Sequence, residues 1–284
     1  MNSKAIERYT TAVIVIGSII GTYFFSRPRK RGLDTELEQD QQQELDQNLT
    51  APANETFGVV WPVIYTGITG LAVHQALPTQ RQNQRYQQAQ WWFRVSFALN
   101  ALFGYFFSRP GLFRRAGSSL TTISLLLTAI KLHQKLRIGQ TPVAQPERAL
   151  RTSVSLYAGW LTAASVVSVG NLLLQSGFRV QPATATRLAY VILCGTAGLG
   201  IVVSKRLNDP YYLTTLVAAF TGVAVKQAGK NESIARLAGA YALLLSGLFI
   251  QRLRSTEPTE LPAKDSPSVP SSAVDHPGVT EKAA

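Results

Sequence analysis

A chain of 284 residues that is 46% hydrophobic, 15% charged and +12 in formal net charge holds too few ionisable groups for a soluble globular domain, where about a quarter of residues are charged. Its Lys and Arg residues cluster at the ends of apolar runs, as at residues 27–31, 114–115, 205–206 and 252–254, which suits membrane flanks and anionic headgroups and excludes a nucleic-acid face. Mean hydropathy is only +0.07, because two polar stretches, residues 33–55 and the tail after Arg254, dilute the apolar runs.

The first apolar run covers residues 10–25 and is followed at once by Arg27, Arg29, Lys30 and Arg31. It has the core of a signal peptide without a small-x-small cleavage pattern before the basic cluster, so residues 1–32 are expected to form a retained anchor helix. The run is short for a span of about 20 residues, a mismatch that tilt or local thinning accommodates. Residues 33–55 follow, and 36–47 are Glu, Asp and Gln apart from two leucines. Such a segment cannot bury enough apolar surface to fold alone and is expected to be a disordered linker. Asn48-Leu49-Thr50 and Asn54-Glu55-Thr56 fit the glycosylation pattern, which matters only in a eukaryotic secretory setting.

Five apolar segments come next, at 57–76, 91–107, 118–132, 153–174 and 188–204, joined by short polar or Pro-containing connections. Two more, at 211–225 and 237–250, suggest a terminal hairpin whose first arm is short enough to be re-entrant or interfacial instead. These lengths suit membrane helices rather than barrel strands, and the polar–apolar alternation of a barrel is missing. The expected fold is therefore an all-α, polytopic membrane bundle of seven or eight helices. A five-helix domain at 56–205 would carry a carboxy-terminal hairpin at 206–252 and a disordered tail at 253–284. Lys and Arg are nearly balanced between the two sides, and the basic cluster after the first run tips the orientation toward an outside amino terminus.

Catalysis has little support. The apolar segments contain no paired carboxylates, and serines such as Ser124 and Ser168 have no nearby base and suit helix–helix hydrogen bonding. His74 and His133 stand at segment ends, where a histidine marks the headgroup interface with its tip in water; haem or metal ligation is the competing reading. His276 lies in the tail. Cys194, the single cysteine, reads as a small buried residue. Ion-coupled transport needs ionisable groups near the membrane midplane, and the segment cores hold none; Arg94 and Lys131 lie near segment ends and can snorkel.

Aromatic and amide placement stands out instead. Trp61 and Tyr65 are four apart and share a helix face, and Gly67 and Gly70 behind them permit close helix approach. Asn100 falls mid-segment. Tyr157 and Trp160 begin a stripe that continues through Ala164 and Ser168 to Asn171. A mid-membrane amide must find a hydrogen bond; it serves either as interhelical glue or as the lining of a cavity where rings stack on a flat ligand. Trp61, Trp91 and Trp92 also suit an interfacial aromatic belt.

The run 57–72 (FGVVWPVIYTGITGLA) resembles the first helix of the TspO/MBR family, the tryptophan-rich sensory proteins or translocator proteins. The run 97–107 (FALNALFGYFF) is similar to that family's second helix, and 155–171 (SLYAGWLTAASVVSVGN) to its fourth, with Leu156 where the family has proline. The resemblance covers about half of the chain and implies a five-helix bundle around an internal pocket. It implies a non-enzymatic, sensory or regulatory protein that binds tetrapyrroles such as protoporphyrin, with porphyrin or haem as the attendant group, or sterol-like lipids. It also implies homodimerisation and a place in a bacterial plasma membrane, with membrane lipids as partners. Carried over residue by residue, the pocket candidates are Trp61, Tyr65, Asn100, Tyr157, Trp160 and Asn171. A small-molecule transporter or porter component, and a structural membrane subunit, are the alternatives.

Overall fold

The computed structural model describes residues 3–25, 47–108 and 111–255. Its helices are α1 (Ser3–Phe25), α2 (Asn54–Ala76), α3 (Gln84–Phe107), α4 (Leu112–Lys135), α5 (Glu147–Gln175), α6 (Pro182–Leu207), α7 (Tyr212–Gln227) and α8 (Glu232–Ser255), with a 3-10 turn at Pro78–Gln80. Every expected apolar run becomes a helix, and most helices overrun it by several polar residues. Hydropathy marks the stretch that apolar surroundings favour, whereas helical hydrogen bonding continues to the next cap. α3 starts behind Asn83, whose side chain accepts from the Arg85 N–H at 3.2 Å. α6 opens on Pro182 and ends at Asn208 in the left-handed region at φ 49°, an arrangement that suits proline at a helix start and Asn at its end.

Four helices, α2, α5, α6 and α8, are each long and apolar enough to cross a membrane. Large apolar side chains stand on the outer surface, among them Leu120, Val191 and Leu243, the last 76% exposed. Acyl chains cover such a surface; water does not stabilise it.

α1 packs on α2 and α3, α3 on α4, α4 on α5 and α5 back on α2, so α1–α5 close a ring. α7 lies outside that ring against α2 and α5, α8 packs on α7, and α6 runs along α7 and α8 with a lighter contact to α5. This differs from the expected division. The first helix, expected as an anchor apart from a core at 56–205, is part of the ring, and the segment 188–204 lies outside it within α6. The motif-bearing helices are therefore the second, third and fifth of the ring.

Polar bonds hold α1 in place. Ser18 Oγ donates to the Phe97 carbonyl, and Asn100 Nδ2 donates to Thr22 Oγ1 at 3.1 Å. Arg94 Nε donates to Thr11 Oγ1 at 2.8 Å, which ties α3 to α1. On the far side of the ring, small residues set the spacing. A Cβ on Gly67 would lie 2.5 Å from Ser153 Cβ, and one on Gly159 would fall on the Tyr212 carbonyl oxygen. Those two glycines let α2 and α7 approach α5 closely.

The expected linker 33–55 also needs correction. Residues 33–46, like the tail from 256 on, lie outside the described residues. Asn48, Thr50 and Ala51 are buried. Asn48 Nδ2 donates to the Val167 carbonyl of α5 at 3.2 Å. Lys226 Nζ of α7 donates to the Asn48 carbonyl at 3.0 Å, and the Ala53 N–H donates to the Gly222 carbonyl at 3.0 Å. A short strap with backbone partners on a neighbouring helix satisfies its polar groups and need not be apolar to be ordered. Cys194, expected to be buried, is exposed on α6, and its sulfur accepts from the Tyr241 hydroxyl at 3.0 Å.

The two ends of the bundle differ. Arg8, near the start of α1, donates to the Leu77 carbonyl just past α2 at 2.6 Å. Arg85, at the start of α3, pairs with Glu147, at the start of α5, at 3.0 Å. His133, near the end of α4, pairs with Asp209, between α6 and α7, at 2.7 Å. These contacts gather one charged end. Phe25, Asn54, Phe107 and Gln175 mark the other.

Candidate ligand-binding cavity

A cavity of about 1130 Å³ opens inside the ring at the end away from those charges. The stripe of α2 that faces it is spaced by four: Phe57, Trp61 and Tyr65, with Pro62 beside them. Trp61 and Tyr65 are stacked, with ring centroids 4.9 Å apart and planes at 25°. Trp160 of α5 meets Trp61 edge-on at 6.2 Å and Phe57 edge-on at 5.2 Å. Aromatic rings prefer these offset and edge-to-face arrangements, so the four side chains fix each other as one wall. α5 continues that wall through Ala164 and Val167 to Asn171, and α4 adds Thr122 and Leu125.

The sequence candidates divide by position. Trp61, Tyr65, Trp160 and Asn171 line the cavity. Tyr157 and Asn100 do not. Tyr157 is fully buried behind the wall, 6.2 Å from Trp61 and stacked on Phe97 at 5.9 Å. Asn100 is 1% exposed. Its Oδ1 accepts from the Tyr65 hydroxyl at 3.2 Å while its Nδ2 holds Thr22. The Asn100 amide thus joins α2 and α1 through α3, the interhelical role open to any mid-membrane amide. Asn171 is held in turn, its Oδ1 accepting from Asn48 Nδ2 at 2.7 Å.

Sequence reasoning missed the contribution of α1. Ile19, Ile20, Thr22, Tyr23 and Phe24 close one side of the cavity. Thr11, Ser18 and Thr22, seven and four apart, mark one face of an otherwise apolar helix, and such a stripe points toward neighbouring helices rather than lipid. Asn48 was also missed, because its neighbours in sequence are an acidic run and a glycosylation pattern, neither of which reports burial.

Neither His74 nor His133 has its tip in water, and neither lines the cavity. His74 is buried with its Nδ1 2.8 Å from the Tyr86 hydroxyl, and His133 is buried in its pair with Asp209. Both lie at the charged end. A haem iron held in the cavity would therefore find no imidazole in its wall among the described residues, and a histidine-ligated haem does not fit this site. A flat ring without a ligated metal fits the stacked aromatic wall. Among the described residues no group of three or more His, Cys, Asp or Glu could hold a metal ion.

Trp91 is exposed on the outer surface and Trp92 packs partly against the core. They differ in this from Trp61, which stands beside the cavity.

No curated protein and no solved structure matches this chain. The family model described as TSPO-like protein matches residues 9–251, which takes in all of α2–α7 and most of α1 and α8. With that match over most of its length and four helices able to cross a membrane, the chain is an integral membrane protein and belongs to the TSPO-like family, whose members are generally non-enzymatic.

Proposed function

We propose that this protein is a membrane-embedded binding protein with a sensory or regulatory output, and that its ligand is a tetrapyrrole or a sterol-like hydrophobic molecule held in the cavity ringed by α1–α5. The observation that carries the reading is the stacked Trp61–Tyr65 pair, braced by Trp160, facing a cavity of about 1130 Å³. Cavities of several hundred cubic ångströms lined by apolar and aromatic side chains are the usual sites for molecules of that size. Family membership supports a ligand-binding or regulatory role in the membrane. The proposed location is a bacterial plasma membrane, and homodimerisation is part of the same proposal; fractionation and mass measurement in detergent test these two points.

The test of binding is a titration of the detergent-solubilised protein with protoporphyrin, followed by quenching of tryptophan fluorescence. Saturable quenching that weakens in Trp61→Phe and Trp160→Phe supports the reading. Quenching that never saturates, or that both variants leave unchanged, refutes it. Transport is the weaker alternative, because the cavity gives way toward the charged end to packed Phe97, Tyr157 and Tyr86. Ligand flux into proteoliposomes would restore it.

A further inference from the structure

The wall chemistry of this cavity narrows the ligand class, and the narrowing rests on the binding reading just given. Among the described residues no Asp, Glu, Lys, Arg or His lines the space. Four of the polar side chains that line it are engaged within the protein, and the indole N–H of Trp160 stands without a partner. The Tyr65 hydroxyl donates to Asn100, Thr22 Oγ1 accepts from the same amide, Thr122 Oγ1 donates to the Ser118 carbonyl at 2.8 Å, and Asn171 Oδ1 accepts from Asn48. A guest therefore meets hydrocarbon and ring faces. A carboxylate inside would meet no cation and only neutral donors such as the Trp160 indole N–H, and buried charges without a cationic partner discharge instead of staying ionised. A carboxyl with a reference pKa of about 4.3 must then take up a proton at pH 7.4, a population penalty of about a thousandfold for each group fully enclosed.

The rim points to the source. Ile20, Tyr23 and Phe24 of α1 line the cavity and are also 49%, 55% and 63% exposed. Apolar side chains that belong to both the cavity and the outer surface make a lateral passage into the acyl-chain region rather than a route through water. We propose that the cavity selects a neutral, hydrocarbon-rich ligand drawn sideways from the bilayer, in preference to any ligand that carries carboxylates.

The experiment compares one ring in two charge states. The full chain in phosphatidylcholine nanodiscs is titrated at pH 7.4 with protoporphyrin IX and with its dimethyl ester, following the porphyrin Soret band. An Ala164→Phe variant, which fills the cavity with a ring, supplies the signal from lipid partitioning to be subtracted. The ester is expected to bind at least about tenfold more tightly, with the gap closing as pH falls toward 5 because the acid form gains protons and the ester has none to gain. Equal binding, or tighter binding of the free acid, overturns the preference for neutral ligands and leaves the binding reading standing. No saturable, Ala164-dependent binding of either compound overturns both.

Discussion

The junction at Asn100 offers the sharpest test of how α1 is held. Asn100→Leu keeps the side-chain volume and removes the amide that accepts from Tyr65 at 3.2 Å and donates to Thr22 at 3.1 Å. Side-chain hydrogen bonds between membrane helices are worth about 0.6 kcal/mol on average and at most about 1.7. Two such bonds, together with a Tyr65 hydroxyl left buried, give an expected loss of roughly 1–3 kcal/mol. Thr22→Val removes the Asn100–Thr22 bond from the other side, together with the longer one from Thr22 Oγ1 to the Asn100 carbonyl at 3.4 Å, and is expected to cost about 0.6–1.7 kcal/mol or somewhat more. The double variant should then cost less than the sum of the singles by about 0.6–1.7 kcal/mol, because both changes delete the same contact. The assay is equilibrium unfolding of the detergent-solubilised protein by SDS titration, followed by tryptophan fluorescence. Independent sites add to within about 0.3–0.5 kcal/mol. A coupling inside that scatter would mean that Asn100 does not tie α1 to the ring, and α1 as a wall of the cavity would lose its main support.

Glycine contacts predict opposite signs at two positions. Gly159→Ala, which places a methyl on the Tyr212 carbonyl oxygen, should cost about 1–3 kcal/mol or more. Gly239→Ala, whose Cβ meets only Ala224 Cβ at 4.0 Å, should be neutral or stabilise by about 0.5–1 kcal/mol through helix propensity; thermal unfolding of the two variants checks both. Asp209→Leu should cost about 1–3 kcal/mol because buried His133 loses its hydrogen-bond partner, and the double change His133→Leu with Asp209→Leu should cost less than Asp209→Leu alone. The same unfolding assay reads it, and a double variant worse than the single would contradict a paired role. Asn48→Ala removes the bonds to Val167 and Asn171, with an expected loss of about 1–3 kcal/mol. Amide hydrogen exchange should rise at residues 48–53 while the helix cores stay protected; unchanged exchange would show that the strap is held by other contacts.

Helix positions were legible because the property that defines them, a run of uncharged residues, is local. The aromatic part of the cavity was legible for a similar reason. Trp61 and Tyr65 at a spacing of four must share a face, and Tyr157 and Trp160 at a spacing of three nearly so. Spacing alone could not tell which members of those stripes meet space and which meet packing. Tyr157 and Trp160 lie on one helix face, yet only the second lines the cavity. Which five helices close the ring was hidden for a different reason. It depends on pairings between residues far apart in the chain, such as Thr22 with Asn100 and Asn48 with Asn171. The hydropathy of α1 is that of any anchor, and three hydroxyl residues spaced along it were the one local trace of its role.

The chemistry of the two ends bears on binding as against passage. At one end Arg85 grips Glu147 through two nitrogens at 3.0–3.2 Å. His133 and Asp209 are buried together there, and Tyr86 and His74 close on each other above packed Phe93 and Phe97. Dismantling that layer would strand buried charges, which is costly. At the other end the wall is aromatic and aliphatic, and its rim on α1 is open to the outer surface. An apolar guest can enter and leave at that end without disturbing either pair, whereas a path through the bundle would have to pass the Arg85–Glu147 and His133–Asp209 pairs. The same asymmetry gives a regulatory reading its physical basis. The wall residue Asn171 is bonded to the Asn48 strap, and the strap is bonded to Lys226 on α7, so a guest that displaces Asn171 acts on a segment shared by the ring and the three outer helices. Asn48→Ala should then tighten porphyrin binding by about three- to fifteenfold, because the guest no longer breaks the Asn48–Asn171 bond, while abolishing any ligand-induced change in hydrogen exchange on α7. A ligand effect on α7 that survives the loss of Asn48 would rule out this route.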